Sequence, residues 1–519
     1  MDYRSISVLL VAVLHWSLGS SAAAQTLNRR YDPIVPGNAQ FAWAIEQNAS
    51  GQFIAVCNSP WIDSLFYSSK LMTVVIDDNG NEFASYRLDT PLKAGYPGWS
   101  NSSIVLPDGR ISVVGTTVDP TDTMRTALYW FSSSGEPLSY IEILPSAMEW
   151  ITYQHKNTPD GGFILTGVTS ATGFQDIFLL KTDSLGNVQW WQTYGHPTRL
   201  DYATSVDILA DGGYCIGGEY PLTLNNVVQW VVRTDSVGNL IWQQPRGLPV
   251  ETSFNAAVLT TSDGNITYAA GKYSGGNDQQ HWPNLVKLDT SGNELWDKTY
   301  GTAFFGTGFF ALAEVPGSHD LIACGQRYYQ TMGGIPHSKG LLLRTNSQGD
   351  SLWMREYFYY DSLMADGEGT LRDVQPTPDG GFVAVGAAYG SVSGNNPPGL
   401  SQDVWVLKVD SLGCVEPGCD LVTGITAQVT NLKDALRVWP NPVAGGGSVT
   451  VGIALPEGLR KGALRLSLIS ADGRLVMEEP LPASASSSSF PISALPAGLY
   501  FLHLSTPDTW LSGTKLVVE

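Results

Sequence analysis

Charged residues are scarce in this 519-residue chain: they make up 15% of it, and Lys and Arg are the rarer kind. The formal net charge is −19. All of it falls on residues 25–434, because the segments on either side hold equal numbers of acidic and basic residues. A body this acidic repels phosphate backbones, so we expect no nucleic-acid partner.

Residues that usually mark a catalytic or metal site are also few. The seven histidines are scattered, and the five cysteines include no Cys-x-x-Cys pair, whereas metal sites normally need such clusters. The chain has no Gly-x-Ser-x-Gly elbow, His-Glu-x-x-His pair, phosphate loop or dinucleotide fingerprint. We therefore predict no catalytic, cofactor-binding or metal-binding residues.

Long apolar runs are missing as well. Residues 1–24 combine Arg4, an apolar core at Val8–Leu14 and the small residues Ala22–Ala24, which together predict a signal peptide that leaves Gln25 as the mature start. That core is too short to cross a bilayer, and no later run reaches the roughly 18 apolar residues that would. We expect an exported protein, secreted or attached to a surface, with no transmembrane segment.

Glycine and tryptophan, in contrast, are abundant, with 55 and 16 residues. The stretch Asp183–Trp190, Asp-Ser-Leu-Gly-Asn-Val-Gln-Trp, recurs at Asp235–Trp242, Asp289–Trp296 and Asn346–Trp353. Looser copies carry Gly80, Gly135 and Gly413, so the seven glycines recur every 51 to 64 residues. Self-similarity at such a period indicates a repeat architecture.

A second series of turns runs in phase with the first, at Asp108-Gly109, Asp160-Gly161, Asp211-Gly212, Asp263-Gly264 and Asp379-Gly380. Glycine supplies the positive φ that tight hairpins require. Two hairpins give four strands per unit, and four strands in about 50 residues are typical of a propeller blade. The body therefore resembles a generic propeller repeat. It predicts an all-β fold, a seven-bladed β-propeller of four-stranded blades over residues 25–419, in which the strand tryptophans pack blade against blade.

The seventh unit lacks its last strand. Pro417 stands where the other units have tryptophan, and proline does not continue a sheet ladder. A strand within Thr26–Ile34 is predicted to take that place and to close the ring.

The cysteines divide into two groups. Cys414 and Cys419 lie at the end of the last unit of an exported protein and are predicted to form a local disulfide. Cys57, Cys215 and Cys324 fall in second strands and are interpreted as small core residues.

The repeat ends before residues 420–436, which are interpreted as a linker, and residues 437–519 follow a different pattern. They begin with Trp439-Pro440-Asn441-Pro442, continue with an Asp472-Gly473 hairpin and the strand Gly498-Leu499-Tyr500, and end with Lys515-Leu516-Val517. This order resembles the type A C-terminal sorting domain of the type IX secretion system, which usually has tyrosine in place of Trp439. The resemblance implies a small Ig-like β-sandwich with a sorting motif made of Trp439, Pro440, Asn441, Pro442, Gly473, Gly498, Tyr500 and Lys515. It also implies export through the periplasm by the type IX machinery, then release or attachment at the cell surface.

The sequence leaves the function open between three hypotheses. The favoured one is a non-catalytic binding module for an extracellular glycan or protein, with its contacts on the long linkers Tyr273–Pro283, Gln326–Lys339 and Tyr389–Ser401. The alternative is an enzyme acting on extracellular polysaccharide, which would need carboxylates at the mouth of the central channel. The third is a structural subunit of a surface assembly.

Single residues do not decide between these hypotheses. His155 falls on a predicted first strand, where it would either face a ligand in the channel or be satisfied within the core, and the core is favoured. Asp176 and Asp403 begin third strands and are expected to be edge or turn residues rather than catalytic acids.

Overall fold

The structure, a computed structural model, describes residues 26–32, 40–63, 66–90, 93–143, 149–171, 173–223, 227–246, 254–273, 280–330, 336–359, 368–389, 402–415, 428–429, 435–455, 463–471, 474–492, 495–506 and 509–519. The predicted signal peptide, Cys419, Gly473 and the tips of the three long linkers lie outside these ranges. Every regular element within them is a β-strand, which confirms the all-β prediction. None of the described segments forms a helix long and apolar enough to cross a membrane.

Strand β1 (Leu27–Tyr31) precedes seven antiparallel sheets in the described body, numbered 1 to 7 in chain order. Sheet 1 contains β2 to β5 (Phe41–Gln47, Phe53–Asp63, Phe66–Ile76, Glu82–Arg87). Sheet 2 contains β6 to β10 (Ala94–Pro97, Ser103–Val105, Ile111–Val118, Met124–Phe131, Pro137–Ile143). Sheet 3 contains β11 to β14 (Trp150–Asn157, Phe163–Thr169, Asp176–Thr182, Val188–Tyr194). Sheet 4 contains β15 to β18 (Tyr202–Ile208, Tyr214–Pro221, Val227–Thr234, Leu240–Arg246).

The remaining three sheets of the body repeat this order. Sheet 5 contains β19 to β22 (Phe254–Thr260, Ile266–Tyr273, Gln280–Leu288, Glu294–Thr299) and the short β23 (Phe304–Phe305), which pairs with β21. Sheet 6 contains β24 to β27 (Gly308–Glu314, Leu321–Gln330, Pro336–Thr345, Ser351–Tyr357). Sheet 7 contains β28 to β30 (Glu368–Pro376, Phe382–Tyr389, Asp403–Val409) together with β1.

The N-terminal strand completes sheet 7, as the sequence predicts. β1 pairs antiparallel with β30, from Leu27 opposite Lys408 to Tyr31 opposite Val404. The first strand of each sheet also packs on the neighbouring sheet, and β2 of sheet 1 packs on β28 and β29 of sheet 7. The described sheets thus contact one another in a closed cycle, which is consistent with a propeller-like repeat.

Burial within a sheet falls toward its fourth strand. β8 and β13 are buried at every residue, whereas β14 is mostly exposed. Strands covered on both faces are expected to be mostly apolar, and β13 has an unbroken apolar run from Ile177 to Leu180. The free cysteines Cys57, Cys215 and Cys324 are all buried in second strands, which confirms them as core residues.

The repeated tryptophans join neighbouring sheets. A Cβ added to Gly238 would lie 2.7 Å from the ring of Trp190, and one added to Gly349 would lie 3.0 Å from the ring of Trp296. The indole of Trp353 donates to the Ser411 carbonyl at 3.0 Å. Each ring therefore covers the glycine turn of the next sheet, and the prediction of blade-to-blade packing is confirmed.

A tyrosine four residues after that tryptophan forms a second contact between sheets. Tyr194, Tyr300 and Tyr357 donate to the carbonyls of Gly238, Gly349 and Gly413 at 2.6, 2.8 and 2.6 Å. Tyr31 of β1 donates to the carbonyl of Gly80 at 2.8 Å. Burial raises the pKa of all four phenols, so each stays a neutral donor.

The tail forms two packed sheets from β31 to β38 (Gln428–Val429, Leu436–Trp439, Ser448–Ile453, Leu464–Ser470, Leu475–Leu481, Ser487–Pro491, Gly498–Ser505, Thr509–Val518). One has the order β31-β38-β37-β34-β35 and the other the order β32-β33-β36. Their facing side chains make one core that includes Val451, Leu466 and Leu502. The two sheets therefore form the expected β-sandwich. The predicted linker already supplies one of its strands, because β31 pairs with β38.

Two of the three long linkers are partly taken up by strands: Gln280–Pro283 belong to β21, and the second linker contributes to β25 and β26. They do join second to third strands, but Gln326–Gln330 and Pro336–Lys339 belong to β25 and β26 and pair with each other. The reason is that aromatic and polar residues such as Tyr328 resemble loop composition while still fitting an extended hairpin.

Candidate functional site

The first strands of sheets 1, 3, 4, 6 and 7 each contain a bulge at an equivalent position. In β2 the pairing shifts between Ala42 and Ala44, in β11 between Thr152 and Gln154, and in β28 between Leu371 and Asp373. A bulge leaves one extra residue unpaired and redirects its side chain. The extra residues are Trp43, Tyr153, Thr204, Phe310 and Arg372 in sheets 1, 3, 4, 6 and 7.

In sheets 3, 4, 6 and 7 a glycine on the second strand lies opposite the bulge, whereas Cys57 takes that position in sheet 1. A Cβ added to Gly167 would lie 2.0 Å from the carbonyl oxygen of Ile151, and one added to Gly386 would lie 1.9 Å from that of Thr370. Only glycine allows two backbones to approach so closely.

In sheet 2 a break in the first strand takes the position that a bulge has in these five sheets. Its first strand is split into β6 and β7, and both pair with β8. Between them, Trp99 donates its backbone N–H to the Tyr153 carbonyl at 2.9 Å, and Asn101, with a φ of 52°, donates to the Trp43 carbonyl at 3.1 Å. Gly98 makes this possible, because a Cβ there would lie 2.2 Å from the Tyr153 carbonyl oxygen.

These side chains converge on Arg372. Its guanidinium carbon lies 4.1 Å from the ring centroid of Phe310 and 5.4 Å from those of Phe41, Trp43 and Trp99. Trp99 lies 5.4 Å from Trp43 and 5.8 Å from Tyr153, ring centre to ring centre. We call Phe41, Trp43, Trp99, Tyr153, Phe310 and Arg372 the central cluster. Side chains from five sheets (1, 2, 3, 6 and 7) meet there, which places it near the axis of the ring.

The central cluster combines apolar faces with a fixed positive charge. A guanidinium over the faces of aromatic rings gains about 0.5–2 kcal/mol per favourable contact. The Trp43 indole donates to Asn58 Oδ1 at 2.7 Å, which fixes its orientation. Phe310 is buried, whereas Phe41, Trp43, Trp99, Tyr153 and Arg372 keep part of their surface exposed. Tyr202, which interacts electrostatically with Tyr153, is 36% exposed.

Two carboxylates lie close to the cluster, on the same strands β2 and β28 that carry Trp43 and Arg372. Asp373 is fully buried, and it accepts the N–H groups of Ile45 at 2.9 Å and Val374 at 2.8 Å. Glu46 accepts from the Ser103 hydroxyl at 2.9 Å. Burial raises the pKa of Glu46 to about 8 and that of Asp373 to about 6, and the charge of Asp373 adds to the effect on Glu46. The two acids are therefore coupled, but the backbone contacts of Asp373 give it a structural role.

The residues singled out from the sequence occupy less central positions. His155 is buried, with Nε2 2.9 Å from the Ser112 hydroxyl, and burial lowers its pKa to about 3. It is a core residue, as favoured. Asp403 is buried and pairs with Arg30 of β1 at 2.6 Å. Asp176 and Asp201 both approach Gly195, with oxygens 2.3 and 2.7 Å from the position of an added Cβ. Across the described residues, no three His, Cys, Asp or Glu side chains form a group that could hold a metal ion.

The central cluster itself was missed by sequence reasoning. The bulge residues are aromatic in sheets 1, 3 and 6 but threonine in sheet 4 and arginine in sheet 7, so no repeated letter marks the position. A usable signal was present on the partner strand, where Gly115, Gly167, Gly218, Gly325 and Gly386 recur at the end of the second strand's apolar run. A glycine that recurs inside a strand indicates a bulge opposite it.

The sorting motif of the tail is split between surface and core. Asn441 Nδ2 donates to the Lys515 carbonyl at 2.7 Å, and Val517 N donates to Asn441 Oδ1 at 2.9 Å. Tyr500 is buried and donates its hydroxyl to the Pro496 carbonyl at 2.8 Å. Trp439 is 51% exposed, and Pro440, Pro442, Gly498 and Lys515 are exposed as well. The structure thus brings Asn441 and Lys515 together from opposite ends of the domain.

Cys414, the other predicted site residue of the body, is buried beside the last turn. Its N–H is bonded to Asp410 Oδ1 at 2.8 Å. Because Cys419 lies outside the described residues, the disulfide stays a prediction.

Comparison with known proteins bears on the tail. Residues 437–519 match the family model of the secretion system C-terminal sorting domain. This confirms the type IX sorting domain expected from the sequence, and it indicates export to the cell surface or secretion. No curated protein matches the chain.

Solved structures resemble the chain only distantly. A protein of unknown function from Dyadobacter fermentans is 10% identical, with 74% of this chain and 98% of that one covered and a TM-score of 0.40. An α-L-arabinofuranosidase from Fusarium graminearum is 14% identical, with 62% and 98% covered and a TM-score of 0.38. A mannose phosphorylase from Leishmania mexicana is 10% identical, with 49% and 81% covered and a TM-score of 0.28.

Proposed function

We propose that the exported protein is a non-catalytic binding module that recognises an extracellular glycan or protein through the central cluster. The observation that carries this proposal is the convergence of Trp43, Trp99 and Tyr153 around Arg372, with part of each ring left exposed. Binding sites are typically lined by aromatic side chains with a few polar groups that fix orientation.

A glycan is the ligand that this surface suits best. Tryptophan and tyrosine offer flat apolar faces to the C–H faces of sugar rings, while their N–H and O–H groups and the guanidinium can meet hydroxyl groups. The exposed ring of Tyr202, beside Tyr153, adds a surface of the same type.

A second candidate is an enzyme acting on extracellular polysaccharide. The observation in its favour is the coupled pair Glu46 and Asp373, because two carboxyl groups with separated pKa values are the usual acid and base of glycoside hydrolysis. The contacts of Asp373 weigh against it, since a buried carboxylate that accepts two backbone N–H groups is poorly placed to reach a substrate.

The test is a glycan-array screen of the purified mature chain, with and without calcium, together with a reducing-sugar assay on the glycans that bind. Trp43→Ala and Trp99→Ala are compared with Phe83→Ala, which removes a ring that is 68% exposed on the outer strand of sheet 1. We expect binding without sugar release, weakened at least tenfold by the first two variants and unchanged by the third.

Two other results would overturn the proposal. Sugar release that is lost in Glu46→Gln would favour the enzyme. Binding that survives both tryptophan variants would move the site away from the central cluster.

A further inference from the structure

The outer strand of each sheet in the body is an edge strand, and in sheet 3 that strand is β14. It lies last in the order β11-β12-β13-β14. It pairs with β13 from Trp190 opposite Lys181 to Tyr194 opposite Ile177. Among the described strands β14 has no second neighbour, so every other N–H and C=O group of this stretch points away from the sheet.

The other outer strands of the body carry residues that keep an edge from pairing with another chain. Charged side chains and proline serve this purpose. They occur in all six: Glu82 and Arg87 in β5, Pro137 and Glu142 in β10, Pro245 and Arg246 in β18, Glu294, Asp297 and Lys298 in β22, Arg355 and Glu356 in β27, and Arg29 and Arg30 in β1. β14, which reads Val-Gln-Trp-Trp-Gln-Thr-Tyr, has neither a charge nor a proline.

The same strand exposes an additional tryptophan. Trp190 is the repeated tryptophan that covers Gly238. Trp191 has no counterpart in the three units that follow, where the equivalent residues are Gln243, Asp297 and Met354. Its ring lies 5.4 Å from that of Trp150, centre to centre, and the residue is 44% exposed. Large aromatic rings are enriched in protein–protein contacts, and this one lies on the unprotected edge.

A second copy of this chain is the partner that the charges favour. The body carries the whole net charge of −19, so two copies repel each other over most of their surface. The repulsion is smallest at an uncharged strand, and antiparallel pairing of β14 with itself places no like charges opposite each other. Such pairing has one twofold axis, which is the commonest symmetry of homo-oligomers.

We propose that two copies of the protein associate by antiparallel pairing of their β14 strands, so that both copies of sheet 3 join in one continuous sheet. Backbone N–H and C=O groups supply the main contacts, as in other cases of strand addition. The two Trp191 rings lie close to the twofold axis, because this residue is in the middle of β14, and they add apolar contact.

The dimer is weak. Two strands of this length make a smaller contact than the roughly 800 Å² per partner of a standard interface. It therefore forms at high local concentration, as on a cell surface. The pairing does not depend on what the central cluster binds.

The experiment is sedimentation velocity of the mature chain over a wide range of protein concentrations, which measures the dissociation constant of the dimer. The test variant is Gln192→Lys, which introduces the kind of residue that Lys298 and Arg355 supply at the same place in sheets 5 and 6. The matched control is Gln244→Lys, the same change at the same place in sheet 4, where Pro245 already blocks the edge. We expect a dissociation constant about tenfold larger for Gln192→Lys, a change of about 1.4 kcal/mol, and no change for the control.

Two further measurements complete the test. Trp191→Gln, which introduces the residue of sheet 4 at this place, should weaken the dimer as well. Thermal unfolding of Gln192→Lys should match that of the wild type, so that weaker association is not a result of lost folding.

Salt dependence gives an independent readout. Higher ionic strength should strengthen the wild-type dimer, because it screens the repulsion between two acidic bodies. A chain that stays monomeric at every concentration would overturn the proposal. So would a dimer on which Gln192→Lys and Gln244→Lys have the same effect.

Discussion

Arg372 and Trp43 meet across the boundary between the seventh and first sheets, with the guanidinium carbon 5.4 Å from the centre of the indole. They are the extra residues of two equivalent bulges, 329 positions apart in the chain. The Arg372 guanidinium thus links the two sheets at which the ring closes. Its removal should lower both the free energy of unfolding and the affinity for a ligand.

Replacing Arg372 by methionine tests this directly. Methionine keeps an unbranched apolar stem but loses the cation–π contacts, and we expect a loss of about 1–3 kcal/mol in the free energy of unfolding. Urea unfolding followed by tryptophan fluorescence measures it. Arg110→Met is the control, because Arg110 and its partner Asp108 are about half exposed and such pairs contribute about 0–1 kcal/mol. Equal losses in the two variants would contradict a role for the cluster in stability.

Gly98 and Gly95 provide a matched pair for the position of Trp99. A Cβ at residue 98 would lie 2.2 Å from the Tyr153 carbonyl oxygen, whereas one at residue 95 meets nothing closer than 3.6 Å. We expect Gly98→Ala to destabilise the protein and to shift its tryptophan emission. Gly95→Ala should leave both nearly unchanged. Tryptophan emission spectra and unfolding curves of the two variants test this prediction. If Gly98→Ala changes neither, the close approach of residue 98 to the Tyr153 carbonyl is not required.

The sequence was informative where the repeated units need the same backbone conformation. The Asp-Gly and Ser-x-Gly turns need positive φ in every unit, so the same letters recur and the four-stranded units could be predicted. Pro417 likewise indicated that the last unit needed a strand from elsewhere, and β1 supplies it. The bulge residues are under no such common constraint, since each meets a different neighbour, and Trp43, Tyr153 and Arg372 therefore share no pattern.

Sequence spacing also failed wherever side chains from distant units meet. Nothing local indicates that Asp373 caps the N–H of Ile45 or that Glu46 lies beside it. The fold of the tail could be predicted because its motif resembles that of a known family. The structure adds the two hydrogen bonds between the Asn441 amide and β38.

The coupled acids predict a dependence of stability on pH. The pKa of Glu46 is raised to about 8, so the folded state holds the proton more tightly than the unfolded chain. The corresponding stability is fully present below the unfolded pKa near 4.5 and is lost as the pH rises through about 8. We expect the unfolding temperature to fall between pH 6 and 9, and to fall less in Glu46→Gln, which can still accept from Ser103. The exposed Glu136→Gln is the control, and an identical pH profile for both variants would contradict the assignment.

The predicted disulfide can be tested by counting thiols. Cys57, Cys215 and Cys324 are free and buried, so they react with a thiol reagent only after unfolding. We expect three modified cysteines in the denatured, unreduced mature chain and five after reduction, as read by mass spectrometry. Five in both samples would show that Cys414 and Cys419 are not joined. A Cys414→Ser variant, which leaves Cys419 unpaired, should give four in both.

The Tyr31 hydroxyl predicts how firmly the N-terminal strand closes the ring. Its hydrogen bond to the Gly80 carbonyl is buried and equivalent to that of Tyr194 with Gly238. Each Tyr→Phe change removes one buried hydrogen bond, although the Gly80 carbonyl keeps a second donor in Arg29 Nη1 at 2.8 Å, so we expect a loss of about 0.5–1.5 kcal/mol in either variant. Chemical denaturation of Tyr31→Phe and Tyr194→Phe makes the comparison. Similar losses would mean that β1 is as integral to its sheet as a strand within a unit, whereas a negligible loss for Tyr31→Phe alone would mean that β1 separates before the rest of the ring unfolds.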